Sequence, residues 1–254
     1  MLTLHDVTLG WERLKLDRPR RVFVHHPHLL SWIERNLNDW LNEIVARAAG
    51  DLTPHPCQIC KVPKVGGLVR PGGVLDLQDE VIYNAILSRC HPEIWRVLGP
   101  TQGRYDLAYQ LQPPSDGTRW IRTGLQVWRS FREKSIEELD RGSQYVLFTD
   151  VTAFYENIDL DRLGSDIRDL GVDHRLLDLL MNCLRRWSLP RGRGIPQGYS
   201  ASDILAKLFM FNVDSNLVSA GFRHLRYVDD MRIFSETSTV AKRALLFLGD
   251  LLRD

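Results

Sequence analysis

The chain has little of what marks a membrane protein or a disulfide-stabilised secreted domain. Its 254 residues contain no apolar run long enough to cross a bilayer, and the N-terminus lacks the pattern of a signal peptide. Four cysteines at uneven spacings are too few for a disulfide framework. We therefore expect a protein of the reducing cytoplasm without a membrane partner.

A strong net charge is also missing, because 33 Lys and Arg residues face 32 Asp and Glu residues. A net charge of +1 neither requires nor excludes a nucleic-acid partner. The basic residues do form two local clusters: Arg13, Lys15, Arg18, Arg20 and Arg21, and later Arg185, Arg186, Arg191 and Arg193. Taken alone, each cluster is best interpreted as a solvated face.

A zinc site is one interpretation of the cysteines. Cys57 and Cys60 form a CxxC pair, with His55 before it and Cys90-His91 further along. A lone CxxC without a matching second pair is a weak signal for zinc, so ordinary loop and core thiols are the simpler interpretation.

Apolar periodicity predicts a mixture of helices and short strands. Helical spacing covers residues 29–50, 76–86, 125–139, 160–170, 173–184, 200–221 and 237–254. Short strands bounded by turn residues are predicted within 51–75, 99–123, 144–150 and 222–234. Residues 1–25 show no sustained period, so we expect an irregular or short-stranded arm there.

The most informative stretch runs from Arg226 to Phe234. Two adjacent carboxylates, Asp229 and Asp230, separate two short apolar runs, which predicts a β-hairpin with the acids at its tip. Two like charges side by side in a partly buried hairpin are costly unless a cation neutralises them. The sequence therefore predicts a divalent metal site.

A third acid, Asp150, ends the predicted strand 144–150. Strands that bring carboxylates together from distant positions form the oxygen-rich site that Mg²⁺ prefers. A two-metal site of this kind suits phosphoryl transfer, with one ion at a primer 3′-hydroxyl and one at a nucleotide triphosphate. Lys61, Lys64 and Arg70, on a glycine-rich segment, could neutralise the phosphate charge.

Four segments in chain order carry these residues: Lys61 to Pro71, Phe148 to Ile158, Arg193 to Ser202, and Tyr227-Val-Asp229-Asp230. The first resembles the nucleotide-contacting fingers motif of the reverse transcriptase family. The other three resemble, in the correct order, that family's catalytic palm motifs. A YVDD tetrapeptide alone would be a weak signal, but four ordered motifs over residues 60–235 rarely coincide by chance.

The resemblance implies a role for each matched residue. The ligands of two Mg²⁺ ions, with Mn²⁺ as an alternative, would be the catalytic residues Asp150, Asp229 and Asp230 together with the carbonyl of Val151. The residues that bind substrate would be Lys64 and Arg70 at the triphosphate, Tyr155 at the sugar, and Gln197 and Gly198 at the nucleotide and template pocket.

Tyr155 lies five places after Asp150, where the family's aromatic residue sits under the ribose and blocks a 2′-hydroxyl. RNA-dependent RNA polymerases tend to have an aspartate there, and a glycine before their paired acids. This chain has Tyr155 and Val228 instead. The resemblance therefore implies that deoxynucleotides are incorporated rather than ribonucleotides.

The implied fold is α+β: the fingers and palm of a right-hand polymerase, with a small antiparallel palm sheet backed by helices. Fingers with an N-terminal helical region would take residues 1–140, and the palm residues 141–254, with a fingers insertion near 170–200. A complete family member continues with another palm strand, a primer grip and a thumb. We therefore expect either a fragment or a chain whose thumb comes from elsewhere.

The implied function is RNA-templated DNA synthesis from dNTPs, on an RNA template with a DNA or RNA primer. The compact form, the Phe-Tyr-Glu-Asn-Ile-Asp sequence that begins at Phe154 and the lead-in helix are most similar to bacterial enzymes of phage defence and abortive infection, with retron and group II intron enzymes as alternatives. Template-independent or protein-primed synthesis by a defence enzyme stays open, as does a non-catalytic nucleic-acid-binding scaffold. A second copy of the chain or an associated non-coding RNA would be a further partner.

Overall fold

The computed structural model describes residues 1–17, 27–50, 52–63, 69–115, 117–188 and 192–253. Helices within these ranges are α1 (Leu4–Asp17), α2 (Pro27–Arg35), α3 (Leu37–Ala49), α4 (Leu77–Leu98), α5 (Leu125–Asp140), α6 (Phe154–Asn157), α7 (Leu160–Asp169), α8 (His174–Trp187), α9 (Ser200–Ser219) and α10 (Ser238–Leu251). None of them combines the length and hydrophobicity needed to cross a bilayer.

The strands form three small antiparallel sheets. They are β1 (Gln58–Pro63), β2 (Val69–Val74), β3 (Gln110–Leu111), β4 (Ile121–Arg122), β5 (Tyr145–Asp150), β6 (Arg223–Tyr227) and β7 (Asp230–Ser235). β1 pairs with β2 and β3 with β4, while the third sheet has the order β5-β7-β6. The predicted α+β class is confirmed.

Helices cover both faces of the three-stranded sheet because its side chains alternate between two apolar clusters. Met231 and Ile233 of β7 lie in the main core, on the side of α9 and α10. Phe234 and Leu225 instead meet Phe131 of α5 in a smaller cluster. The sheet is thereby fixed from both sides.

Helix α9 is buried around most of its circumference, as expected for a helix whose sequence has no strong polar face. It begins at Ser200, within the second palm motif, and passes behind the sheet to contact β6. Most side chains of α9 therefore meet the core or the back of the sheet, and the exposed ones are confined to its C-terminal half.

The expected arm over residues 1–25 is wrong where the structure describes it, because residues 4–17 form α1. Val7, Trp11 and Leu14 are buried at helical spacing against α4. Gly10 allows close contact, since an added Cβ would lie 2.5 Å from the Val81 carbonyl oxygen. The helical period of the apolar residues is interrupted in the sequence because three polar residues of α1 are also buried: Asp6, Arg13 and Asp17.

The helix predicted over residues 29–50 is divided in two at Asn36. The side-chain amide of Asn36 donates to the Trp32 carbonyl at 3.0 Å, and its backbone leaves the helical conformation. Such local side-chain bonds compete with helix propagation. The other predicted helices and hairpins are present, with Asp76, Asp173 and Thr237 as the N-caps of α4, α8 and α10.

The boundary predicted between fingers (1–140) and palm (141–254) lies between α5 and β5. One continuous apolar core includes residues from both sides of it, from Val7 to Leu248. The boundary, and the fingers insertion near 170–200, stay predictions.

The end of α1 holds the beginning of α9. The Asp17 carboxylate accepts a hydrogen bond from the Ser200 backbone N–H at 2.9 Å and another from the Ser200 hydroxyl. Both residues are buried. Asp17 thus acts as an N-cap supplied from a distant part of the chain.

We expect Asp17→Ala to lower the free energy of unfolding by about 1–3 kcal/mol, because a buried helix start loses its acceptor. Thr237→Ala removes the exposed N-cap of α10 and should cost only about 0.5–1 kcal/mol. Urea titrations of both variants measure the difference. An Asp17→Ala loss no larger than that of Thr237→Ala would contradict the assignment.

Candidate active site

The register of the three-stranded sheet brings the predicted metal ligands together. Asp150 ends β5 and pairs directly with Asp230, the first residue of β7. Asp229 lies in the two-residue turn before Asp230, and its carbonyl accepts from the Val151 N–H at 3.3 Å. The three carboxylates and Val151 therefore share one tip of the sheet.

The turn between β6 and β7 has an unusual backbone. Val228 has a φ of +63°, a conformation that β-branched residues rarely adopt. Positive φ values suit the twist of two-residue hairpin turns, but in a non-glycine residue they cost on the order of 1–3 kcal/mol. Surrounding contacts must therefore hold this turn.

The acids repel one another in the absence of a cation. Burial raises the pKa of the half-buried Asp229 above its ordinary value of 3.8. The neighbouring Asp150 raises this pKa further, through its charge and through a hydrogen bond between the two carboxyl groups. A hydrogen bond from the backbone N–H of Asp229 itself acts in the opposite direction. Burial and Asp150 also raise the pKa of Asp230, with Arg232 opposing. These oxygen donors fit a divalent metal, which would remove the repulsion.

A different group brings its potential ligand atoms closer together. Within the described ranges, only His55, Asp76 and Asp79 place three such atoms within 4.8 Å of one another. The Arg47 guanidinium lies beside these residues, 2.6 Å from the Asp79 carboxylate and 3.0 Å from the His55 ring. We interpret this group as an ion-pair network between α3 and α4, because a cationic side chain fills the position an ion would need.

The zinc interpretation gains no support from the described residues, since no cysteine belongs to that group. Burial raises the pKa of the Cys57 thiol to about 11, with the nearby Cys60 adding to the shift. Cys90 is buried in α4, and the neighbouring His91 contacts the Gln112 carbonyl at 2.9 Å.

Backbone hydrogen bonds join the second palm motif to the first. The Ile195 N–H donates to the Tyr155 carbonyl at 2.9 Å, and the Gly194 N–H donates to the Ile158 carbonyl at 2.8 Å. Gln197 is half-buried, and the exposed Gly198 has a φ of +97°, which glycine adopts readily. The loop that carries the two predicted pocket residues is thus bonded to the segment that carries Tyr155.

Tyr199 connects the same motif to the β1–β2 hairpin. Its hydroxyl accepts from the Leu75 N–H at 2.9 Å and donates to the Gly73 carbonyl at 3.2 Å. The base of the β1–β2 hairpin is therefore fixed relative to the start of α9.

Tyr155 is mostly buried, with 6% of its surface exposed. Its hydroxyl donates to the Asp203 carboxylate of α9 at 2.7 Å, and burial together with the Asp203 charge raises the Tyr155 pKa well above its ordinary value. The ring is anchored from behind, so a ribose could reach only a small part of it.

The two predicted triphosphate ligands cannot be placed. Lys64 lies outside the described residues, and the Arg70 side chain does as well. The Arg70 backbone belongs to β2, opposite Val62 of β1. Their roles stay predictions.

Sequence reasoning missed Asp203 and Arg226, which lie behind the site and not in it. Asp203 anchors Tyr155, while Arg226 precedes Tyr227 on β6 and is almost fully buried. A signal for Arg226 did exist: a charged residue occupies an inward position of a strand, where alternation requires an apolar one.

The comparisons with known proteins agree with this geometry. A family model described as reverse transcriptase (RNA-dependent DNA polymerase) matches residues 62–254. Protein YkfC of Escherichia coli K12 is 23% identical over 189 residues, which cover 71% of this chain and 44% of YkfC.

Two solved structures are similar as well. A C-terminally truncated apo telomerase from Candida tropicalis matches at a TM-score of 0.51 and 15% identity, over 81% of this chain and 49% of the telomerase. A partial Cas6-RT-Cas1–Cas2 complex matches at a TM-score of 0.47 and 16% identity, over 95% of this chain and 39% of the chain in that complex. The similarity to the telomerase structure supports the predicted right-hand polymerase fold. The chain spans less than half the length of each of these relatives.

Asp229→Asn tests the cost of ionising Asp229, to which burial and repulsion from the neighbouring acids both contribute. Because its pKa is raised in the folded state, ionised Asp229 destabilises the fold. This loss of stability is present when the pH is above the pKa of the folded state, and it disappears as the pH falls through that pKa. In EDTA at pH 7 we expect the variant to be more stable by up to about 1 kcal/mol, because water screens a half-exposed group. This gain should shrink as the pH falls toward 4.

Melting temperatures measured from pH 7 to pH 4 provide the readout. Glu137→Gln, at an exposed position of α5, is the control and should show no such trend. A stability gain that is absent at pH 7, or independent of pH, would contradict this cost of ionisation.

Proposed function

Since the chain belongs to the reverse transcriptase family, we propose that it adds deoxynucleotides to the 3′-hydroxyl of a primer paired with an RNA template. The observation that carries this proposal is the direct pairing of Asp150 with Asp230 beside Asp229. Three carboxylates from segments 80 residues apart in sequence converge on one open tip of a sheet.

The proposed cofactor is a pair of Mg²⁺ ions, with Mn²⁺ as an alternative. Asp150 and Asp229 would be the main ligands, with Asp230 and the Val151 carbonyl beside them. When bound, the ions would activate the primer hydroxyl and neutralise charge on the triphosphate. The protein's own contribution is to hold the carboxylates in place before substrate arrives.

The nucleotide would lie between the acids and the second palm motif. Gln197 and Gly198 would shape this pocket, and the bonds of the preceding Gly194 and Ile195 to Ile158 and Tyr155 support that placement. Lys64 and Arg70, predicted on the fingers hairpin, would bind the triphosphate as charge-assisted donors. Backbone freedom at Gly198 would let a nucleotide approach the chain closely.

We propose that Tyr155 excludes the 2′-hydroxyl of a ribonucleotide. Its bond to Asp203 supports this role, because an anchored ring cannot move aside to make room. A 2′-hydroxyl pressed against the ring would also lose its hydrogen bonds to water.

The RNA template and the primer are the proposed macromolecular partners, in line with the family's description as RNA-dependent DNA polymerases. A proposed role in bacterial antiviral defence rests on the compact form, the sequence of the first palm motif and the lead-in helix. The chain covers less than half of YkfC and of the telomerase, and the proposal concerns nucleotide addition rather than processive synthesis.

Single-nucleotide extension tests the activity without requiring processivity. With Mg²⁺ and a primed RNA template, we expect incorporation of the matching dNTP, lost in EDTA. Asp150→Asn and Asp229→Asn should each lower the rate by on the order of 10³-fold, because transition-state charge loses its stabilisation. Asp161→Asn, at an exposed position of α7, is the matched control.

Each alternative function has its own outcome in that assay. Incorporation that ignores the template base would favour template-independent synthesis. RNA binding without incorporation, unchanged by Asp229→Asn, would favour a scaffold and overturn the proposal.

Tyr155→Ala tests the sugar selection. We expect the ratio of ribonucleotide to deoxynucleotide kcat/KM to rise by about 10²-fold, because the blocking ring is gone. Tyr155→Phe keeps the ring and should keep most of the discrimination. Tyr145→Ala, at the partly exposed start of β5, is the control, and an unchanged ratio in Tyr155→Ala would refute the role.

A further inference from the structure

A group of ionisable side chains is buried directly behind the turn that carries Asp229. Its members, each at most 5% exposed, are Asp106, Lys207, Asp214, His224 and Arg226. Burying charges costs several kcal/mol per ion unless pairing compensates, and apolar residues of similar size often give equal stability. The location of this group therefore calls for a reason other than stability.

Arg226 is the centre of the group. Its Nε lies 3.0 and 3.1 Å from the two Asp214 oxygens, and its Nη2 lies 2.5 Å from Asp214 and 3.1 Å from Asp106. His224 and Lys207 complete the pairing, at 3.0 Å from Asp214 and 2.5 Å from Asp106 respectively. Burial would lower the pKa of Arg226, but the two carboxylates raise it, so the guanidinium stays charged.

The remaining nitrogen of the guanidinium reaches the strained turn. Arg226 Nη1 donates to the Val228 carbonyl at 2.9 Å. Val228 is the residue with φ +63°, and the next carbonyl, that of Asp229, accepts from Val151. Because the guanidinium is a rigid planar fork, fixing two of its nitrogens on acids also fixes the direction of the third.

We propose that Arg226, held by Asp214 and Asp106, is a positioning residue that fixes the Val228–Asp229 turn from the core side and so places the Asp229 carboxylate for metal binding. This inference rests on the proposed function, since it assumes that Asp229 is a metal ligand. Arg226 itself touches neither substrate nor metal and acts through the turn.

The strand does not need this side chain to stay in place. The Arg226 backbone N–H donates to the Tyr105 carbonyl at 2.7 Å, and its carbonyl accepts from the Leu107 N–H at 3.0 Å. Arg226→Lys keeps the charge and these backbone bonds. A single ammonium group cannot span Asp214 and the Val228 carbonyl in the fixed geometry of a guanidinium, so the substitution removes the positioning bond selectively.

Binding of Mn²⁺ to the purified chain, measured by EPR of the free ion, provides a readout that does not depend on catalysis. We expect Arg226→Lys to weaken Mn²⁺ binding by about 10- to 100-fold, as loss of an outer-shell partner does. In single-nucleotide extension, kcat should fall by on the order of 10²-fold because the ligand is misplaced, while the KM for dNTP changes much less.

Two matched controls separate positioning from general destabilisation. Arg223→Lys changes an arginine at the other end of β6, which pairs with Glu138 and Ser143 and should leave Mn²⁺ affinity unchanged. Lys207→Met removes a buried charge from the same group without touching the turn. Suppose that Lys207→Met and Arg226→Lys lower the stability of the chain equally. If Lys207→Met then weakened Mn²⁺ binding as much as Arg226→Lys does, Arg226 would not be a positioning residue.

The outcomes also separate this inference from the proposed function. If Asp229→Asn abolishes Mn²⁺ binding but Arg226→Lys binds like the wild type, the inference fails and the function stands. If Asp229→Asn binds Mn²⁺ like the wild type, the proposed metal site fails first. Should Arg226→Lys not fold, Asp214→Asn decides: a several-fold loss of affinity is expected, and unchanged binding would overturn the inference.

Discussion

The antiparallel register between β5 and β7 is the constraint on which the candidate site depends. It places Asp150 opposite Asp230 although 80 residues separate them in sequence. A slip of one residue would turn every side chain of a strand to the opposite face of the sheet. The acids do not set this register, because they repel one another; burial of Met231 and Ile233 on one face and Phe234 on the other sets it.

Helix α9 joins the parts of the site from behind. Asp203, Lys207 and Asp214 are spaced by four and seven residues, so they lie along one stripe of a largely buried helix. Asp203 anchors Tyr155 of the first palm motif, and Asp214 anchors Arg226 before the third. The first turn of the helix belongs to the second motif. A single buried helix thus sets the relative positions of all three motifs.

The sequence was sufficient for most of the elements and for the proximity of the three aspartates, because periodicity, turn residues and motif order are local signals. It was insufficient wherever a buried polar residue needed a distant partner. Asp17 in α1 bonds to Ser200, and without knowing that partner the helix looked like an irregular arm. Arg226 was visible within the most informative stretch, but nothing nearby in sequence indicates that Asp214 and Asp106 neutralise it.

Three energetic costs coincide at one end of the sheet: carboxylates with raised pKa values, a valine at positive φ, and a buried group of charges. Each could be avoided by a different residue, since asparagine would relieve the first, glycine the second and apolar side chains the third. A surface that only binds nucleic acid would gain nothing from any of them. A site that must hold two carboxylates close together before a cation arrives needs all three, because the repulsion has to be resisted by a turn that cannot relax. The coincidence of these costs is therefore the strongest structural argument for a catalytic role over a scaffold.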